Sequence, residues 1–148
     1  MGQYQWLGAE KFGRMSKPKK SIAKLKKELD FWFNSFVRSR DYNHGVGGGC
    51  FCISCGNWVP EGTGHASHFY AATFAKTRWD ERNVNVSCVR CNVFLHGNLL
   101  GYCKGMREKY GQGVMDELEA LHNQPFKLDR QWLEDKIRYY KDKLNNSI

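Results

Sequence analysis

Cys52-Ile-Ser-Cys55-Gly56 and Cys88-Val-Arg-Cys91-Asn92 share one spacing, and between them lies Gly64-His65-Ala66-Ser67-His68-Phe69. Two thiolates three residues apart on a tight turn face one ion, and two such pairs supply four sulfurs to tetrahedral zinc. The gap between Cys55 and Cys88 exceeds the roughly 12–20 residues of an ordinary zinc finger or ribbon. The surplus is room for a hairpin, and the hairpin carries two histidines. The spacing therefore predicts a scaffold built by zinc on Cys52, Cys55, Cys88 and Cys91, with a histidine site laid across it. Cys50 would share a strand face with Cys52 and is an alternative ligand. Gly56 favours the Cys52–Cys55 pair, because a knuckle needs a sharp turn there.

The chain has 148 residues, 41% of them hydrophobic, enough for one domain with a modest core. No apolar run approaches the ~20 residues of a membrane span, so no membrane partner is expected. Residues 1–20 lack the apolar centre of a signal peptide. A cytoplasmic setting follows as the expectation, and there six cysteines point to metal rather than disulfides. A disulfide-bonded secreted domain is the competing reading. The formal charge is +8, which points to a polyanionic partner. Residues 1–28 carry most of that excess. The expectation is a basic, flexible arm over 1–20, able to lie along phosphates, and a single domain over 21–148.

Ile22, Leu25, Leu29, Trp32, Phe33, Phe36 and Val37 recur at three- and four-residue steps and predict a helix from Ser21 to about Asp41. Its aromatic stripe reads as core rather than as a base-stacking surface. The run Asn43 to Gly49, with its glycines, ends that helix in a mobile loop that includes His44. Val59 to Gly64 reads as a turn, His65 to Ala72 as a short irregular strand, and Val84 to Ser87 as a strand entering Cys88. A helix over Leu99 to Met106 ends at Gly111. Another, with Val114, Leu118 and Leu121, stops before Pro125. Asp129 is the N-cap of a last helix buried through Trp132, Leu133, Ile137, Tyr140 and Leu144. The fold class is α+β and mostly helical, with a zinc-pinned core at about 50–100 and C-terminal helices at about 98–145.

If Cys88 and Cys91 open a helix, Asn92 points about 100° away from Cys91. It would then face the strand bearing His68, and His96 would share its face if the helix continues. A histidine, a facing amide and a nearby metal make a phosphodiester-cleaving site. The histidine takes a proton from water while the metal polarises a phosphate oxygen.

Cys52-Ile-Ser-Cys55-Gly56, Ala66-Ser67-His68-Phe69, Arg82-Asn83-Val84, Cys88-Val-Arg-Cys91-Asn92 and Gly97-Asn98-Leu99 together resemble zinc-containing HNH (ββα-metal, His-Me finger) endonucleases. Their order, and the continuation into Leu118-Glu119-Ala120, look most like the lambdoid-phage NinG, or Rap, recombination endonucleases. The resemblance implies a nuclease for branched DNA such as Holliday junctions and D-loops, acting in the host cytoplasm if phage-encoded. It implies His68 as general base, Asn83 as the brace of the hairpin loop and Asn92 as a catalytic-metal ligand. His65 stands where relatives often carry aspartate, so it reads equally as a metal ligand or a loop residue. A carboxylate suits Mg²⁺, whereas an imidazole suits Mn²⁺ or another divalent ion. A regular strand would place His65 and His68 on opposite faces, so a shared site requires a bulge or turn.

The leading expectation is a metal-dependent DNA endonuclease with structural Zn²⁺ and catalytic Mg²⁺ or Mn²⁺. Lys19, Lys20, Lys24, Lys27, Arg90, His96 and Lys104 are the expected DNA contacts, with Arg107 and Lys109 on the same surface. A homodimer would suit paired cuts across a junction. The alternative is a non-catalytic zinc-dependent nucleic-acid-binding module, supported by His65 at a carboxylate position. Taken alone, His68 would read as a structural histidine, His122 as a surface residue near a helix end and Cys103 as a small buried side chain.

Overall fold

The computed structural model describes residues 18–43 and 47–146. The expected arm lies outside them apart from residues 18–20, and so does His44. The chain is mixed α+β and mostly helical. Its elements run α1 (Ile22–Asn43), β1 (Gly49–Phe51), β2 (Trp58–Pro60), β3 (His65–His68), β4 (Val84–Ser87), a π-helical turn (Arg90–Phe94), α2 (Leu99–Tyr110), α3 (Gln112–His122) and α4 (Arg130–Asn145). No helix among the described residues is long and apolar enough to cross a membrane.

The four-residue steps of α1 decide what it buries. Leu25, Leu29, Phe33 and Val37 all face inward and meet Leu133, Ile137 and Tyr140 of α4, with Trp79 and Val84 closing the same core. Phe33 and Tyr140 meet edge to face, ring centroids 5.1 Å apart, an arrangement that suits two ring quadrupoles. The aromatic stripe is core, as its periodicity implies. Asp129 caps α4 by accepting the Trp132 N–H at 2.8 Å, which satisfies one of the orphan donors of a first turn.

The strands form two separate antiparallel pairs, β1 with β2 and β3 with β4. The β1–β2 pair sets Cys50 opposite Val59 and frames the Cys52–Cys55 turn, where Gly56 holds a φ of 70°. Val59 and Pro60 are therefore strand, not the start of the expected turn. Three-residue strands are too short to show a period of two. β3 ends at His68 rather than Ala72, because the Phe69 N–H already donates to the Asn83 carbonyl at 2.9 Å and the chain then loops out to return as β4.

All four residues of β4 are buried, so its polar side chains need internal partners. Asn85 accepts from Lys109 Nζ at 2.8 Å and from the Tyr110 hydroxyl at 2.8 Å. Asp41, at the end of α1, accepts from Val86 N–H at 2.8 Å, Arg40 Nε at 2.8 Å and Lys109 Nζ at 3.0 Å. These bonds lock α1, β4 and α2 together. They also engage Lys109, one of the expected DNA contacts, while leaving its side chain 37% exposed.

α2 lies directly on the first cysteine turn. A Cβ on Gly101 would overlap the Ser54 carbonyl, and one on Gly105 the Ile53 carbonyl. Two glycines four residues apart give the helix a flat stripe along which two backbones touch. The neighbouring face of α2, about 100° round, buries Tyr102 and Met106 against Met115 and Leu118 of α3.

Candidate metal centre and active site

The four expected cysteines converge. The sulfurs of Cys52, Cys55, Cys88 and Cys91 all lie within 4.8 Å of one another, and those of Cys55 and Cys88 are 3.8 Å apart. Tetrahedral zinc with Zn–S bonds near ~2.3 Å sets its sulfurs about 3.8 Å apart, whereas a disulfide needs about 2.05 Å. The donor set therefore fits zinc, and the spacing is not that of a disulfide-bonded domain. Backbone N–H groups converge as they do on thiolates: Cys88 N donates to Cys52 Sγ at 3.2 Å and Cys91 N to Cys88 Sγ at 3.4 Å. Burial opposes ionisation of Cys52, yet N–H donors from Cys88, Cys55 and Ser54 bring its thiol down to about 7. Cys50 is not a fifth member. Its thiol is buried with Tyr42 and Val59, and burial, with Asp41 nearby, pushes it up to about 11.

The π-helical turn places Asn92 one residue past Cys91 and aims its amide at β3. Asn92 Nδ2 lies 3.0 Å from His65 Nδ1, so the residue opposite Asn92 is His65, where the sequence reading seats His68. The cause is register. His65 pairs with Ser87 and His68 with Val84 without a bulge, so the two histidines leave β3 on opposite faces, about 10 Å apart along the strand. The helix after Cys91 also stops early. His96 has φ 47° and Asn98 φ 45°, so His96 lies outside the helix and does not share the face of Asn92 by helical periodicity.

His68 is held by the loop that follows it. Its Nε2 donates to the Arg78 carbonyl at 3.0 Å. A carbonyl only accepts, so Nε2 carries the proton and Nδ1 keeps its lone pair. Burial holds the His68 imidazole below its ordinary value, against the pull of the Arg78 carbonyl and with the Arg78 charge assisting. The ring is thus neutral and able to accept a proton near neutral pH. Arg78 is itself clamped to α1: Nη2 meets Asp30 Oδ2 at 2.6 Å, and Trp79 Nε1 donates to Asp30 Oδ1 at 2.9 Å. Asp30 was not singled out from sequence, although an acid flanked by Leu29 and Phe33 in a core-facing helix is a usable signal.

Asn83 sits where a brace is expected. It is fully buried, its Nδ2 donates to the Tyr70 and Thr77 carbonyls at 3.0 Å each, and its Oδ1 accepts the Tyr70 N–H at 2.8 Å. One amide closes the whole loop between β3 and β4. Tyr102 is a second tie missed from sequence, its hydroxyl donating to the Ser67 carbonyl at 2.7 Å. His122 is less plain than expected: its ring stacks on Tyr70, centroids 4.1 Å apart.

A family model described as the Bacteriophage Lambda NinG protein matches residues 10–147. The chain belongs to the NinG family. It is 31% identical to Protein ninG of Escherichia phage 933W over 141 residues, 89% of this chain and 64% of that protein. It is 35% identical to Protein ninG of Escherichia phage lambda over 91 residues, covering 61% and 41% of the two chains. Protein ninG of Salmonella phage P22 is 36% identical over 90 residues, covering 60% and 41%. The chain thus spans less than two thirds of the length of these NinG relatives. No solved structure matches.

In this NinG-family chain the expected DNA contacts fall on separate elements. Lys19, Lys20, Lys24 and Lys27 lie exposed at and before the start of α1, with Lys20 paired to Glu28. Arg90, His96 and Lys104 are exposed on the cysteine-bearing turn and α2. Lys104 has Glu108 as a loose partner at 3.9 Å. As they stand, Asn92 turns its Nδ2 and not its oxygen to His65 Nδ1, so the two would be neighbouring ligands of a divalent ion only with the amide turned. Two donors bound at right angles at about 2.1 Å stand about 3.0 Å apart, and turning the Asn92 amide presents its oxygen. Both are neutral donors, so phosphate oxygens and water would have to complete the shell.

Proposed function

We propose that this NinG-family chain is a metal-dependent DNA endonuclease of the ββα-metal type, acting on branched recombination intermediates. The observation that carries the reading is the 3.0 Å approach of Asn92 to His65, on a turn that the four-cysteine cluster ties to the β3–β4 hairpin. Zinc on Cys52, Cys55, Cys88 and Cys91 would supply structure. A Mg²⁺ or Mn²⁺ ion on His65 and Asn92 would supply charge stabilisation at a phosphate oxygen. The family resemblance makes His68 the base: Nδ1 keeps its lone pair while Nε2 is committed to the Arg78 carbonyl. Because His68 leaves β3 on the face opposite His65, drawing a proton from water at that ion would require the strand to bend. Asn83 would keep the loop closed so that the ring cannot swing away. Exposed Arg90, His96 and Lys104, with Lys19, Lys20, Lys24 and Lys27, would hold phosphates.

Branched-substrate preference follows the family resemblance. The basic balance of the chain, +8 overall, supports a nucleic-acid partner and not a branched one in particular. A His68→Ala protein should keep its zinc and its DNA affinity while losing nicking of a four-way junction in Mg²⁺ or Mn²⁺. Undiminished nicking by that variant removes the proposal. The second reading, a non-catalytic zinc-dependent nucleic-acid-binding module, is favoured by one observation: the imidazole at position 65 brings no negative charge to a cation site. Junction binding without cleavage in any divalent metal would select it.

A further inference from the structure

The stretch from Arg90 to Lys104 carries a feature that the proposed chemistry does not use. Phe94 is 73% exposed and Leu100 89%, with Leu99, Leu95 and Val93 also at the surface. Scattered apolar side chains at a surface are ordinary, but here five exposed ones fall within positions 93–100. The patch is not slack chain. His96, Gly97 and Asn98 hold φ values of 47°, 94° and 45° in succession, which costs energy at the two non-glycine positions. The turn is fastened to the cysteine cluster. Gly97 N donates to the Cys91 carbonyl at 2.8 Å, Ser54 Oγ to the Gly97 carbonyl at 3.3 Å and Asn98 Nδ2 to Cys91 Sγ at 3.4 Å. The cysteine cluster therefore braces an outward-pointing apolar tip.

Charge says what the tip meets. From Arg82 to Arg107 the chain contains no Asp or Glu. Arg90 lies one turn before Phe94, and Lys104 lies four residues beyond Leu100 on the same face of α2. An apolar tip among cations fits a polyanion that also exposes apolar faces. Continuous duplex hides its base faces in the stack, whereas a branch point or gap exposes them, and such faces pair with aromatic and aliphatic side chains. An anionic lipid surface has a related chemistry. Continuity of the tip with Asn92, which faces His65, favours nucleic acid.

We propose that Phe94, Leu99 and Leu100 dock on unstacked bases at a branch point in DNA while Arg90 and Lys104 hold the adjoining phosphates. The proposal rests on the endonuclease reading for its choice of substrate. The test uses the full zinc-loaded chain with no added Mg²⁺ or Mn²⁺. The probes are a four-way junction carrying 2-aminopurine at the crossover and a linear duplex of equal length. The double variant Phe94→Ala, Leu100→Ala should weaken junction binding about tenfold and duplex binding less than twofold, as loss of a stacking contact does. It should also abolish the 2-aminopurine signal, while Phe94→Trp retains both and zinc content stays unchanged throughout. Equal junction affinity in wild type and double variant overturns the proposal, as does failure of the wild type to bind any DNA. If the double variant instead loses binding to phosphatidylglycerol vesicles, or changes mass in light scattering, with junction affinity intact, the surface belongs to a membrane or a second copy and the proposal falls. A wild-type metal series on the same junction separates the two readings. Tip-dependent binding without cleavage ends the nuclease reading alone, and cleavage with tip-independent binding ends this one alone.

Discussion

The side-chain amide of Asn92 and the Nδ1 of His65 stand 3.0 Å apart, joining the cysteine-bearing turn to β3. Because His65 offers nitrogen rather than a carboxylate, the pair should prefer Mn²⁺ to Mg²⁺. Introducing a carboxylate by His65→Asp should raise the Mg²⁺-to-Mn²⁺ ratio of nicking rates about tenfold, since Mg²⁺ selects charged oxygen ligands. A metal titration of both proteins checks this, and an unchanged ratio would mean position 65 does not touch the ion.

The cysteine cluster should decide whether the knuckle and α2 stay docked. Structural zinc supplies apparent binding free energies of ~10–16 kcal/mol in small domains, as large as the ~5–15 kcal/mol of an entire domain. Cys88→Ser, or chelation of the wild type, should release zinc and expose the face of α2 that carries Gly101 and Gly105. Metal analysis with thermal unfolding measures both. Cys50→Ser should leave the zinc content unchanged.

Gly105→Ala drives a methyl into the Ile53 carbonyl, and backbone cannot yield as a flexible side chain does. It should cost about 1–3 kcal/mol. Gly113→Ala meets nothing within 4 Å and should instead stabilise α3 by about 0.5 kcal/mol through lower chain entropy. Denaturant midpoints of the two variants should move in opposite directions.

Asp41, whose side chain is 8% exposed, is a charge held in the interior by three donors. Burial works to raise its pKa, but Arg40, Lys109 and the Val86 N–H outweigh it and hold it below the ordinary carboxylate value. The stability it contributes is thus present above the unfolded value and lost as pH falls through the lower folded one. Asp41→Asn should cost about 3 kcal/mol at neutral pH, the scale for leaving a buried cation unpaired. Urea unfolding at pH 7 and pH 3 should show a smaller difference between the proteins at the second than at the first.

His68 sets the pH response. Burial, the main cause, depresses its pKa, so the folded state resists the proton that the unfolded state accepts. The neutral ring stabilises the fold above pH 6.5, and this contribution is lost as pH falls through the folded value. The acid limb of nicking should therefore lie below pH 6.5. Asp30 pulls that value upward, so Asp30→Asn should move the limb lower still. A pH–rate profile for both proteins decides it, and a limb above the ordinary histidine range would rule out His68 as the group that titrates.

Much of this was legible because it is local. The four-residue steps of Leu25, Leu29, Phe33 and Val37 specify a helix with one buried stripe. Asp129 marks a cap, and two Cys-x-x-Cys turns announce a metal. The β1–β2 pair was hidden because three-residue strands carry no period. The polar knot of Arg40, Asp41, Asn85 and Lys109 was hidden because its members lie far apart in sequence and each, read alone, looks like a solvated residue.

By itself the sequence determined the family, the helices and the four sulfurs, since spacing along a chain is enough to specify a turn or an amphipathic face. Only the tertiary structure decided which histidine meets Asn92. Strand register shifts side chains between faces one residue at a time, and it is set by the pairing of His65 with Ser87, which no run of neighbouring residues contains.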